Sequence, residues 1–167
     1  MMATKRLVLG LGNPILGDDG VGWKVAEQLQ KDLTEMDVRD VEIDCLAVGG
    51  LSLMERMVGY EQVILVDAIT TQQHPLGAVL VFPLEQLPNR AFGHLSSAHD
   101  TTLQNALAVG RKMGVSLPDE IWVVGIEASQ VYDFSEVMSP PIQGAVDQAV
   151  GKVKDLLRSR MALQQAA

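Results

Sequence analysis

Arg6-Leu-Val-Leu-Gly-Leu-Gly-Asn-Pro-Ile-Leu-Gly-Asp-Asp-Gly-Val-Gly22 passes from one structural periodicity to another. Arg6–Gly10 is a short apolar run ending in glycine, the pattern of a strand buried on both faces. Gly12–Gly17, with Asn13 and Pro14 between its glycines, reads as a loop. From Asp19 to Leu33 the apolar residues Val21, Val25, Ala26, Leu29 and Leu33 recur near helical spacing. A buried strand that feeds through a glycine loop into an amphipathic helix opens a βαβ unit. The same alternation continues down the chain. Val41–Leu46 alternates as a strand and ends at Gly49-Gly50, and Leu51–Val58 suits a short helix. Val63–Val66, wholly β-branched or Leu, is the clearest strand and leads into Asp67. Gly77–Phe82 is a strand stopped by Pro83. Pro88–Ala98 is irregular, and Thr101–Met113 is a helix capped by Thr101 or Asp100. Ile121–Ile126 is the last strand, and Pro140–Arg160 is a helix opened by a proline pair. About five strands and four helices predict a three-layer α/β/α sandwich around a mostly parallel, twisted sheet of the phosphorylase/hydrolase-like kind.

The 167 residues suit one domain, spanning 1–167, large enough to bury a core without staples. Aromatics are only 4 %, so that core is built of Val, Leu, Ile, Ala and Met. Thirteen Lys and Arg stand against 21 Asp and Glu, a net charge of -8 with no basic run. Such a surface repels polyanions and argues against a nucleic-acid partner. No apolar stretch approaches the roughly 20 residues of a membrane span, and Leu7–Leu11 is too short for a signal peptide. Cys45 is the only cysteine, which rules out an internal disulfide and fits a cytoplasmic protein.

In an open α/β sheet, ligands bind beyond the carboxyl ends of the strands. Three polar features are expected there: the loop with Asp18 and Asp19, Asp67 after the most apolar strand, and Ser96-Ser97-Ala98-His99-Asp100 ahead of the third helix. Two carboxylates and an imidazole on one rim would suit a divalent first-row ion, with a coordination position left for substrate or water. Each piece also has a plainer reading. Asp18 or Asp19 can cap the first helix, Asp67 can be a turn-former, and His99 can be a cap or surface residue. His74 and His94 fall in loop-like segments and are expected at the surface. Cys45 sits mid-strand and reads as a small core residue. A dinucleotide fingerprint is excluded, because Ile15 stands at the third glycine position and two acids follow where a pyrophosphate would lie.

Gly10–Gly22 resembles the N-terminal signature of the hydrogenase maturation proteases. Val63-Ile-Leu-Val-Asp67-Ala68 is similar to that family's second motif and Ser97-Ala-His99-Asp100 to its third. Gly49-Gly50 matches a glycine-rich turn between them, and Val124-Gly125-Ile126-Glu127 matches the final strand. The resemblance spans Arg6 to Lys154 in order. It implies an aspartyl-type endopeptidase that removes the C-terminal extension of a nickel-containing hydrogenase large subunit after nickel insertion. The precursor of that subunit is the expected partner, and the enzyme is expected to be a cytoplasmic monomer. The implied metal-contacting and catalytic residues are Asp19, Asp67 and His99. Family members often carry Glu at the first, so Asp19 reaches one methylene less far. Nickel is implied as supplied by the substrate, with another divalent cation conceivable in the free enzyme.

The resemblance leaves three mechanisms open. The substrate's nickel can bridge the three residues, a carboxylate can activate water, or a metal-bound water can attack. No Ser-His-Asp or Cys-His pattern competes, and Ser96-Ser97 lacks a nucleophile-elbow context. A peptidyl-tRNA hydrolase begins with a similar Gly-Leu-Gly-Asn-Pro, but Asp18-Asp19-Gly20 and the acidic chain oppose a phosphate-rich substrate. A non-catalytic, metal-dependent maturation chaperone would keep the three ligands and cleave nothing.

Overall fold

A computed structural model describes residues 5–35, 40–87, 102–129 and 133–165. In chain order the elements are β1 (Arg6–Leu11), a 3-10 turn (Gly17–Gly20), α1 (Val21–Glu35), β2 (Val41–Leu46), α2 (Gly50–Arg56), β3 (Gln62–Ile69), β4 (Val79–Pro83), a second 3-10 turn (Leu84–Gln86), α3 (Leu103–Lys112), β5 (Glu120–Glu127) and α4 (Pro140–Gln165). The sheet order is β2-β1-β3-β5-β4. The pairs β1–β2, β1–β3 and β3–β5 are parallel, and β4 runs antiparallel at the edge beside β5. The connection 70–78 is too short for a crossover helix, so β4 returns in the opposite sense.

Period-2 alternation divides the core between two faces. Val8, Ile64 and Val66 pack with Val21, Val25 and Leu29 of α1 and with Ile142 and Val153 of α4. Leu7, Leu9, Val63, Leu65 and Val123 pack with Leu53 of α2 and with Leu103 and Leu107 of α3. The result is the expected three-layer sandwich. No helix among the described residues is long and apolar enough to cross a membrane.

Several boundaries differ from the sequence pattern. β3 runs past its apolar run to Ile69, pairing with β5 as far as Ile69 opposite Glu127. Asp67 is therefore inside a strand and not beyond its end, because a main-chain ladder does not stop at a polar side chain. Asp18 and Asp19 belong to the 3-10 turn, and α1 starts only at Val21. Thr102, and neither Thr101 nor Asp100, caps α3, its hydroxyl accepting from the Asn105 N–H at 3.3 Å. The irregular segment expected at Pro88–Ala98 lies outside the described residues.

Candidate active site

From β1 the chain winds out to β2 and then crosses back to β3 on the other side of β1. The order reverses between β1 and β3, and the crevice at the carboxyl ends of such a strand pair is where open α/β sheets bind ligands. Asp19 follows β1, and Asp67 lies in the last part of β3.

Close backbone packing brings the two elements together. A Cβ on Gly22 would lie 2.2 Å from the Leu11 carbonyl oxygen and 2.4 Å from that of Val66. Only glycine lets α1 begin in contact with the ends of both strands. Gly12, at φ +127°, faces the Asp19 carbonyl so closely that a Cβ would sit 1.9 Å from its oxygen. These contacts seat the Gly17–Gly20 turn against β3. The Asp19 carboxylate accepts the Asn13 N–H at 2.7 Å through Oδ2.

The neighbouring acid does something else. Asp18 accepts the Ser139 N–H at 2.6 Å and the Ser139 hydroxyl at 2.8 Å. Ser139 in turn accepts from Ile142 and Gln143 in the first turn of α4. Asp18 therefore steadies the N-terminus of α4, a helix 121 residues away, and not that of α1. Main-chain bonds reinforce the tie: Gly17 N–H donates to Ser135 at 2.6 Å, and Ser135 N–H donates to Ile15 at 2.9 Å.

Asp67 is 0 % exposed. By alternation it follows Val63 and Leu65 on the face toward α2 and α3, and its partner across the β3–β5 pair is Gly125, which has no side chain. A carboxylate adds nothing to an apolar layer and is costly to bury, so an ionisable group in this crevice marks a functional position. A second buried acid was not singled out as a candidate from sequence. Glu127, 1 % exposed at the end of β5, accepts the Thr71 N–H at 2.8 Å, the Thr71 hydroxyl at 2.6 Å and the Gln72 N–H at 2.9 Å. It clamps the turn that leaves β3. The signal was an acid closing an apolar strand, answered by the polar Thr70-Thr71 pair closing another.

His99 lies outside the described residues, as do His94, Ser96, Ser97 and Asp100. The first described residue after them is Thr102. Because α3 leads back into the parallel strand β5, its N-terminus is directed toward the carboxyl rim. Among the described residues no group of three His, Cys, Asp or Glu converges as a metal site. His74 is exposed, as expected. Cys45 is half-buried, and burial, helped by Glu27 and Asp44, pushes its thiol up to about 11. It is not poised as a nucleophile.

A family model described as hydrogenase maturation protease matches residues 23–156. The chain belongs to that family. The matched span takes in Asp67 and begins just after the turn that carries Asp19. Among curated hydrogenase maturation proteases, the hydrogenase 2 maturation protease of Escherichia coli K12 is 26 % identical over 152 residues, 91 % of this chain and 90 % of that one. The hydrogenase expression/formation protein HupD of Rhizobium leguminosarum bv. viciae is 27 % identical over 157 residues, covering 94 % and 76 % of the two chains. The hydrogenase maturating endopeptidase HybD from Escherichia coli superimposes with a TM-score of 0.75 over 94 % of each chain at 22 % identity, a likeness of fold. Membership makes this hydrogenase maturation protease a peptide-bond hydrolase, and the crevice between β1 and β3 is the part of it suited to that chemistry.

Proposed function

We propose that this protease removes the C-terminal extension of a nickel-containing hydrogenase large-subunit precursor after nickel insertion. It acts as a cytoplasmic monomer, with Asp19, Asp67 and His99 receiving the nickel that the precursor carries. The observation that carries the reading is the seating of two acid-bearing elements, the turn of Asp19 and the strand of Asp67, at the switch crevice of the sheet. The donor set is oxygen-rich, suited to a divalent ion. The described residues hold no complete three-ligand group, in keeping with an ion that arrives with the substrate.

The residues of this chain gain most when a loaded substrate docks. Carboxylates and an imidazole meet a cation only in that complex, so the loaded precursor binds better than the empty one. Docking then holds the scissile peptide beside the carboxylates. A carboxylate of the pair takes a proton from water as the oxygen adds to the carbonyl carbon, and the proton passes to the departing amine.

Matched precursors with and without nickel, given to the purified enzyme under metal-buffered conditions and read by mass spectrometry, test this. The expected result is cleavage of the loaded precursor alone, abolished by Asp19→Asn or Asp67→Asn with the far-UV circular dichroism unchanged. Equal cleavage of both precursors would point to an ion resident in the enzyme. Tight binding without cleavage would point to a maturation chaperone.

A further inference from the structure

Phe134 is 86 % exposed and Val137 78 % exposed, the two most exposed large apolar residues in this part of the chain. The whole sequence has only three phenylalanines. Single exposed apolar residues are ordinary on a protein surface, whereas contiguous ones mark an interface. Here they are contiguous. Ser135 pairs in parallel with Leu16, which brings Phe134 and Val137 beside Ile15, itself 47 % exposed, on the loop that leads to Asp19.

The pairing also leaves an edge. Ser135 spends its N–H on Ile15 and its carbonyl on Gly17. The main-chain groups of Phe134 and Glu136 alternate to the opposite side. Among the described residues they make no hydrogen bond. A short extended segment with an open main-chain edge and apolar side chains suits addition of another extended chain. Exposed Asp133 and Glu136 flank the aromatic residue, and the molecule as a whole carries a charge of -8.

We propose that Asp133–Val137 is a docking edge for an extended segment of the precursor, one that carries an apolar residue flanked by basic side chains. The proposal rests on the proteolytic reading above and adds the surface that delivers the substrate to it. Asp18, bonded to Ser139, and Gly17, bonded to Ser135, fix this edge to the turn of Asp19. A chain seated on the edge is thereby held at a set distance from the crevice.

The test compares wild-type enzyme with Phe134→Ser, Phe134→Leu and the double variant Asp133→Lys/Glu136→Lys. The nickel-loaded precursor is the probe, with cleavage kinetics and calorimetric binding measured in parallel. Because these side chains are exposed, the variants should melt as the wild type does. Phe134→Ser should raise KM and Kd roughly ten- to a hundredfold, the worth of one phenylalanine buried at an interface. Its kcat should be unchanged, as for a contact made equally in ground and transition states, and Phe134→Leu should recover most of the loss. The charge-reversed variant should bind more weakly and lose the salt dependence of wild-type binding. Unchanged KM and Kd in Phe134→Ser would overturn the docking edge, as would a fall in kcat at constant KM. Absence of cleavage by wild-type enzyme would refute proteolysis instead. The binding comparison would then still decide the edge: equal Kd values refute it, and a weakened Phe134→Ser upholds it.

Discussion

Gly22→Ala should separate the catalytic turn from the sheet while leaving the core residues untouched. The added Cβ would meet the carbonyl oxygens of Leu11 and Val66 at 2.2 and 2.4 Å, about 1 Å inside the ordinary contact distance of 3.4 Å. Both obstacles are backbone and cannot rotate away, so α1 must move outward by about that amount. Overpacking of this kind costs about 2–3 kcal/mol. Replacing a helical glycine by alanine returns about 1 kcal/mol. A net loss of about 1–2 kcal/mol corresponds to a fall in Tm of roughly 2–8 °C for a chain of this size. The 3-10 turn moves with α1, and a misplacement of about 1 Å at a reacting centre costs on the order of a hundredfold in rate. Gly144→Ala is the matched control. It lies in α4 with nothing within 4 Å of the new methyl, so it should raise Tm by about 2–4 °C and leave cleavage unchanged. Thermal unfolding by circular dichroism and cleavage of the nickel-loaded precursor read both effects. A Gly22→Ala enzyme that melts and cleaves like the wild type would refute the argument that this contact places Asp19.

Asp18→Ala deletes two hydrogen bonds to Ser139 and should cost about 1–3 kcal/mol in denaturant unfolding; Asp18→Ala stability equal to wild type would show the tie to be idle. Asp32 is held below its ordinary value of 3.8 by hydrogen bonds from Lys154 and Gln28. Its stabilising contribution is complete above that value and lost as pH falls through the lower folded value. Asp32→Asn should therefore reduce stability at neutral pH and flatten the acid limb of a Tm–pH profile, and an unchanged limb would discount the bridge. With its thiol pushed up to about 11, Cys45 should react with iodoacetamide at pH 8 far more slowly than a free thiol. Cys45→Ala should cleave at the wild-type rate, and inactivation by either route would reinstate cysteine chemistry.

The fold was legible because its signals are local and repeated. Val63–Val66 and Val123-Val124 are too apolar for anything but buried strands, and the heptad-like run Val21, Val25, Leu29 turns one helix face to the sheet. Strand ends were not legible, because a ladder continues through Asp67, Ala68 and Glu127 on partner pairing alone, which leaves no mark in the residue types. The site was partly legible. Asp19 and Asp67 come to one crevice, as the strand-end rule and the family resemblance suggested. The division of labour between Asp18 and Asp19 depends on Ser139, and no local pattern announces a partner 121 residues away. The role of Glu127 was hidden for the same reason, since Thr71 is its partner only once β3 and β5 pair.

The bond between Asp18 and Ser139 sets an order of events during synthesis. β1, the turn and α1 leave the ribosome first, and β3 with Asp67 follows, but the brace on the catalytic turn comes from the start of the last helix. Contacts of such long sequence separation form late, after the loop between them has closed. A nascent chain that has not yet released α4 holds both acids on an unbraced rim, without the Ser135 edge beside them. The protease thus completes its cutting site as its final folding step, and an unfinished copy has no braced site with which to cut a precursor.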